Sequence, residues 1–224
     1  MFSDIFEFIQ KGGIFMIPLG LVSVVSLAFI LERGLALRRS LIIPQSLLNT
    51  ITRQRLGGEV TELEHLAAPG TTTLARLVRV ALEHLPWSKS ENMEAVQTQA
   101  RTEISAMERG LVVLEIATGV APLLGLLGTV SGLVGIFQSI GTESIATQGI
   151  LIARGIAEAL NTTVAGLVIA IPSLIAHSYY SKKIEAMSAE MESAMMDLLT
   201  RLYLRPLAEE APAPPAADAA SEAS

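Results

Sequence analysis

Three long blocks of apolar residues, at 12–32, 110–140 and 149–180, constrain this chain more than any other feature. At about 1.5 Å of rise per residue, each is long enough as a helix to cross a hydrocarbon layer of roughly 30 Å. A soluble domain mixes apolar and polar residues around one core. Here 50% of residues are hydrophobic and gathered into blocks, while aromatic residues make up only 4%. The expectation is an all-α integral membrane protein with three transmembrane helices, long cytoplasmic helical extensions and its N-terminus outside.

Residues 1–11 form a short outer N-terminus, with Asp4 and Glu7 where a cleavable signal peptide would carry Lys or Arg. Glu32-Arg33 stands at the end of the first block in place of a small-residue cleavage site, so that block reads as a retained span. Pro18 sits near its start, where a proline does least harm to a helix. From 33 to 109 apolar and charged residues mix at helical spacing, as in Leu74, Leu77, Val78, Ala81 and Leu82. Gly57-Gly58, Pro69-Gly70 and Pro86-Trp87 punctuate this segment into short helices. Ser88-Lys89-Ser90-Glu91 has the form of a capping box. No further breaker precedes Pro122, so the helix starting there is expected to run on into the second span.

The second block carries one ionisable residue, Glu115, near its start; a short outer loop, 141–148, follows it. The third contains Arg154 and Glu158 and is closed by Lys182-Lys183. Both exceed the minimum for a span, which predicts helices that project beyond the bilayer. Ile184, Met187, Met191, Met195, Leu198 and Leu202 continue the helical spacing through 181–205. The Ala-, Pro- and Glu-rich stretch 206–224 reads as a disordered tail. Basic residues concentrate between Arg33 and Arg109 and after Tyr180, whereas the opposite ends hold only Lys11. By the positive-inside rule the middle segment and the C-terminus are cytoplasmic.

Several functions are disfavoured. The acidic balance, −6 at pH 7, does not suggest nucleic acid, and without cysteine there are no disulfides or thiolate metal sites. His65, His84 and His177 stand in no metal-ligand spacing. Neither a phosphate-binding loop nor a hydrolase or metalloprotease motif occurs, so the chain reads as no enzyme, without a cofactor. Energy for any driven process must come from an ion gradient or a partner.

The spans carry more than plain anchors need. At about 100° per residue, Thr118, Pro122, Gly125, Thr129 and Gly132 fall on one stripe of the second. Such a stripe is either a close helix-packing face or a pore lining, and Thr129 favours a pore or partner-facing role. In the third span Glu158 lies about 13 Å inside the block at helical rise. A carboxylate at such depth costs about 2.5–3.5 kcal/mol, so it should face protein or water. Asn161 and Thr162 lie within about 60° of it. Glu158 could instead pair with Arg154, one turn earlier and in the less favourable order. An ion-pathway role is the stronger reading of this polar face.

Ala121-Pro122-Leu-Leu-Gly125-Leu-Leu-Gly128-Thr129-Val130 and Gly155-Ile-Ala-Glu158-Ala-Leu, followed by Ala170-Ile171-Pro172, resemble the ExbB/TolQ/MotA family of proton-channel subunits. The three-span layout is closest to ExbB or TolQ. The resemblance implies a homopentamer in the bacterial inner membrane, its second and third spans lining a central pore. A dimer of a single-span ExbD- or TolR-like partner would sit there, with a TonB- or TolA-like protein and membrane lipids as further partners. Proton motive force would then drive transport or mechanical work at the envelope. Carried over by motif, Thr129, Glu158 and Thr163 are the pathway residues. Thr163 lies about 140° from Glu158, so both cannot point into one pore, and Thr162 is the position the helical wheel nominates. The alternative is a non-conducting membrane scaffold that gathers partner proteins.

Overall fold

The computed structural model describes residues 13–55, 60–139 and 145–204, with the side chains at 139, 145–148 and 151 left out of the description. Expectations for 1–11, for 141–144 of the outer loop and for the tail 206–224 lie outside the described residues. Those described form helices and their connections, with no strand among them. In chain order they are α1 (Met16–Ala36), α2 (Arg39–Ile42), α3 (Gln45–Arg53) and α4 (Thr61–Ala67). Then come α5 (Thr73–Glu83), α6 (Lys89–Glu108), α7 (Leu111–Ser139) and α8 (Ile145–Tyr203). Three are long and apolar enough to cross a membrane: α1, α7 over Leu111–Gln138, and α8 within Ile152–Tyr203.

Two boundaries differ from the sequence reading. The helix that starts at Ser88 does not run on into the second span: α6 ends at Glu108, and a turn at Arg109–Gly110 precedes α7. The Arg33 guanidinium fills the space that a side chain on Gly110 would need. It also donates to the Met107 carbonyl at 3.1 Å, satisfying an acceptor at the end of α6. Gly110 is thus the breaker the pattern hid. The second difference is that α8 opens at Ile145, so part of the expected 141–148 loop is helical.

The chain divides into two compact units, Met1–Ile42 with Ala100–Glu190, and Ile43–Gln99 with Met191–Ser224. In the first, Met16 and Leu19 of α1 pack with Ala121 of α7 and with Ala165 and Ala170 of α8. Small residues on α7 and α8 let the helices meet closely, and α1 lays larger side chains across them. Polar clasps reinforce this contact. Buried Ser26 and Ser173 approach within 2.5 Å, and since Ser173 donates to the Ile169 carbonyl at 2.7 Å, Ser26 is the donor between them. Tyr180 donates its hydroxyl to the Ile30 carbonyl at 2.8 Å. Arg39 and Glu190 pair at 2.5 Å on the surface.

The second unit has an ordinary aliphatic core that includes Leu47, Ile51, Leu63, Leu74, Leu77, Leu198 and Leu199, all nearly inaccessible. The α6 capping box forms as the sequence suggests: Ser88 donates its backbone N–H to Glu91 at 3.1 Å, and Glu91 returns its own to the Ser88 hydroxyl at 3.4 Å. Thr72 caps α5 by accepting from Ala75 N–H at 3.3 Å. Near the end of α8, the Tyr203 hydroxyl accepts from buried Asn92 at 3.0 Å and lies 3.0–3.3 Å from the carbonyls of His84, Leu85 and Trp87. Arg201 donates to the Gln54 carbonyl at 3.0 Å and pairs with Asp197 at 2.9 Å. These bonds fasten the last turns of α8 to their neighbours.

Candidate ion pathway between the second and third spans

The crossing of α7 and α8 is built from backbone-to-backbone contacts that only small residues permit. A Cβ on Gly166 would stand 2.5 Å from the Ala121 carbonyl oxygen, and one on Gly125 would stand 3.0 Å from the Thr163 Cα. One on Gly132 would meet the Ala159 Cβ at 3.2 Å, and one on Gly155 would meet Ile136 at 2.5 Å. On Gly128 it would overlap the Thr162 side chain. Of the two readings of the α7 stripe, packing within one chain therefore accounts for Gly125 and Gly132. Gly119 and Gly135 have open space around them.

The hydroxyls of the stripe turn back on their own helix. Half-buried Thr118 donates to the Leu114 carbonyl at 2.9 Å, and half-buried Thr129 to the Leu126 carbonyl at 2.6 Å. Pro122, also half-buried, lies within α7 and brings no N–H for the Thr118 carbonyl four residues earlier. Glu115 is exposed on the first turns of α7.

On α8 the polar face divides. Thr162 is fully buried against Gly128 and donates to the Glu158 carbonyl at 2.8 Å. Thr163 donates across the helix pair to the Gly125 carbonyl at 3.3 Å. Both threonines thus meet α7 of the same chain, although the wheel alone would have aimed Thr162 alongside Glu158. Asn161 is half-buried.

Glu158 goes elsewhere. Its half-buried side chain lines a cleft of about 370 Å³ shared by Ile14 and Phe15, Ser131 and Gly132, and Arg154. The carboxyl rests against Gly13, where an added Cβ would overlap its Oε1. Gly13 also has a φ of 69°, a left-handed conformation that favours glycine. Arg154 shares the cleft, yet it forms no ion pair with Glu158 among the described residues. Sequence reasoning missed Gly13 and Ser131. The first has no local signal, because its role depends on a helix end meeting a residue far along the chain.

A carboxyl group on a membrane-spanning helix, set in a cleft, is chemistry suited to taking up and releasing a proton. Comparison with known proteins leads the same way. Residues 70–193 match the MotA/TolQ/ExbB proton channel family. The chain is 34% identical over 170 residues to ExbB-like protein 1 of Synechocystis sp., an alignment covering 74% of this chain and 66% of that one. It is 26% identical to the biopolymer transport protein ExbB1 of Vibrio cholerae, over 83% of each. To the Tol-Pal system protein TolQ of Haemophilus influenzae it is 28% identical, over 64% of this chain and 63% of the other. This chain belongs to the MotA/TolQ/ExbB proton channel family.

Proposed function

We propose that the chain is the proton-conducting scaffold subunit of a bacterial inner-membrane complex, one that couples the proton motive force to transport or mechanical work at the envelope. The observation that carries this reading is Glu158, an ionisable side chain within a span that lines a cleft beside α7 and the start of α1. A carboxyl group there exchanges a proton more readily than it passes a hydrated ion, because protonation removes the charge that the bilayer penalises. Thr129, turned back on α7, and Thr163, bridging α8 to α7, are assigned to the same pathway on the family motif.

In this reading α1, α7 and α8 cross the inner membrane with the N-terminus outside, while the basic segment 33–109 and the C-terminus face the cytoplasm. Broad apolar surfaces remain on α7 and α8, including Leu126, Val130, Phe137, Leu160, Val164 and Val168. They suit lipid and further copies of the chain, and a pentamer around a dimer of a single-span ExbD- or TolR-like protein is the assembly we propose. The relatives named for biopolymer transport and for the Tol-Pal system support such a role in the envelope. The test is proton uptake into vesicles that hold the chain with such a partner. Glu158→Gln should abolish uptake and leave the complex assembled; full uptake by that variant would remove Glu158 from the pathway.

A further inference from the structure

We propose that the leading turn of α1 is the third wall of a water-filled access route to Glu158 within a single subunit, and that Gly13 is a positioning residue for the Glu158 side chain. This rests on the proton-pathway reading above and adds the route by which the carboxyl reaches water. The cleft is bounded by Ile14 and Phe15 just before and at the start of α1, by Ser131 and Gly132 on α7, and by Arg154 on α8. All three helices contribute the ends that lie on one side of the span: α1 where it begins, α7 in its last third, and α8 before its polar core. The cleft therefore lies towards the end of the span where α1 starts, and the proposed route opens on that side.

Three features fit water in this space. About 370 Å³ accommodates on the order of ten waters. The Ser131 hydroxyl, the Arg154 guanidinium and the Glu158 carboxyl supply the polar partners such waters require. Gly128, Gly132, Gly135 and Gly155 in the wall add no side chain of their own to the space.

Gly13 then leaves the room in which the carboxyl sits in the cleft. A Cβ added here would overlap the Glu158 Oε1, so the end of that flexible side chain would have to move. The positive φ of 69° holds the chain in a bend that brings the α1 start to this point. The Met16 N–H closes that bend on the Gly13 carbonyl at 3.2 Å. A side chain at 13 would have to displace the acid, whereas one at Gly20, which has open space around it, would not.

The chain has no cysteine, so a single introduced thiol is an unambiguous probe. Ser131→Cys, Val130→Cys and Leu133→Cys would each be made in the full chain with its partner and exposed to a membrane-impermeant thiosulfonate, first from one face of the membrane and then from the other. A thiol in apolar surroundings ionises less readily, and each unit of raised pKa cuts the reactive thiolate about tenfold. The Ser131→Cys variant should therefore react at least about tenfold faster than Val130→Cys or Leu133→Cys, and only from the side where α1 begins. Equal, slow reaction of all three variants, or reaction of Ser131→Cys only from the opposite side, overturns the access route. For positioning, Gly13→Ala should lower proton uptake at least about tenfold, the loss expected when the acid is displaced from its place in the pathway. Gly20→Ala should leave uptake unchanged, and Glu158→Asp placed in the Gly13→Ala chain should restore part of it by withdrawing the carboxyl one methylene. Full uptake by Gly13→Ala, or no recovery in the double variant, overturns the role of Gly13. Thiol reactivity does not depend on proton uptake. A reactive Ser131→Cys variant together with full uptake by Glu158→Gln would refute the pathway, and with it the proposed role of the cleft. An inert Ser131→Cys variant together with no uptake by Glu158→Gln would refute the route alone.

Discussion

The Thr162 side chain occupies the space that a Cβ on Gly128 would fill, and Thr162 is fully buried. This contact sets the rotation of α8 against α7. With Thr162 and Thr163 turned to α7, Glu158 is directed to the cleft beside the start of α1. The polar face of the third span therefore serves two purposes, close helix packing on one side and an ionisable group on the other.

Gly128→Val should weaken the helix pair. A branched side chain there has to displace a buried threonine, and overpacking of this kind costs about 1–3 kcal/mol. Thermal unfolding of the detergent-solubilised protein, followed by loss of helical circular dichroism, should show a lowered midpoint. Gly119→Val, in open space, should change it little. Equal midpoints for the two variants would mean that the crossing is looser than described.

Thr163→Val keeps the shape of the side chain and deletes its bond to the Gly125 carbonyl. Hydrogen bonds between membrane helices average about 0.6 kcal/mol, so the loss of stability should be small, and Thr163→Ser should recover most of it. A larger loss in the serine variant than in the valine variant would show that the methyl group matters more than the hydroxyl.

What the sequence made legible follows from how local each signal was. The three spans are contiguous runs, and the capping box at Ser88 and Glu91 is read within four residues. The break at Gly110 was hidden because it depends on Arg33 arriving from another helix. The same limit applied to Thr162. A helical wheel gives angles between residues but not which of them faces a neighbour, and the Gly128 contact decides that. The anchoring of Tyr203 beside Asn92, and of Glu158 against Gly13, likewise joins distant parts of the chain.

The capping box carries a pH dependence of predictable sign. Hydrogen bonds from the Ser88 side chain and backbone hold the Glu91 carboxyl below its ordinary value of 4.5. A depressed carboxylate stabilises the folded state above its unfolded pKa, and that contribution is lost as pH falls through the folded value. Amide exchange in the first turn of α6, corrected for intrinsic rates, should show falling protection as pH drops below 4.5. Glu91→Gln should flatten this dependence. An identical pH response in the two proteins would assign it to another group.

Glu158 is the proposed proton carrier. The most direct test is pH-gradient-driven proton uptake by vesicles that contain the full chain and its single-span partner, compared between the unaltered chain and Glu158→Gln. The amide is close in size to the acid and cannot exchange a proton, so uptake should fall to the level of empty vesicles while the complex, sized by native mass spectrometry, stays the same. Undiminished uptake by an equally assembled Glu158→Gln complex would contradict the assignment.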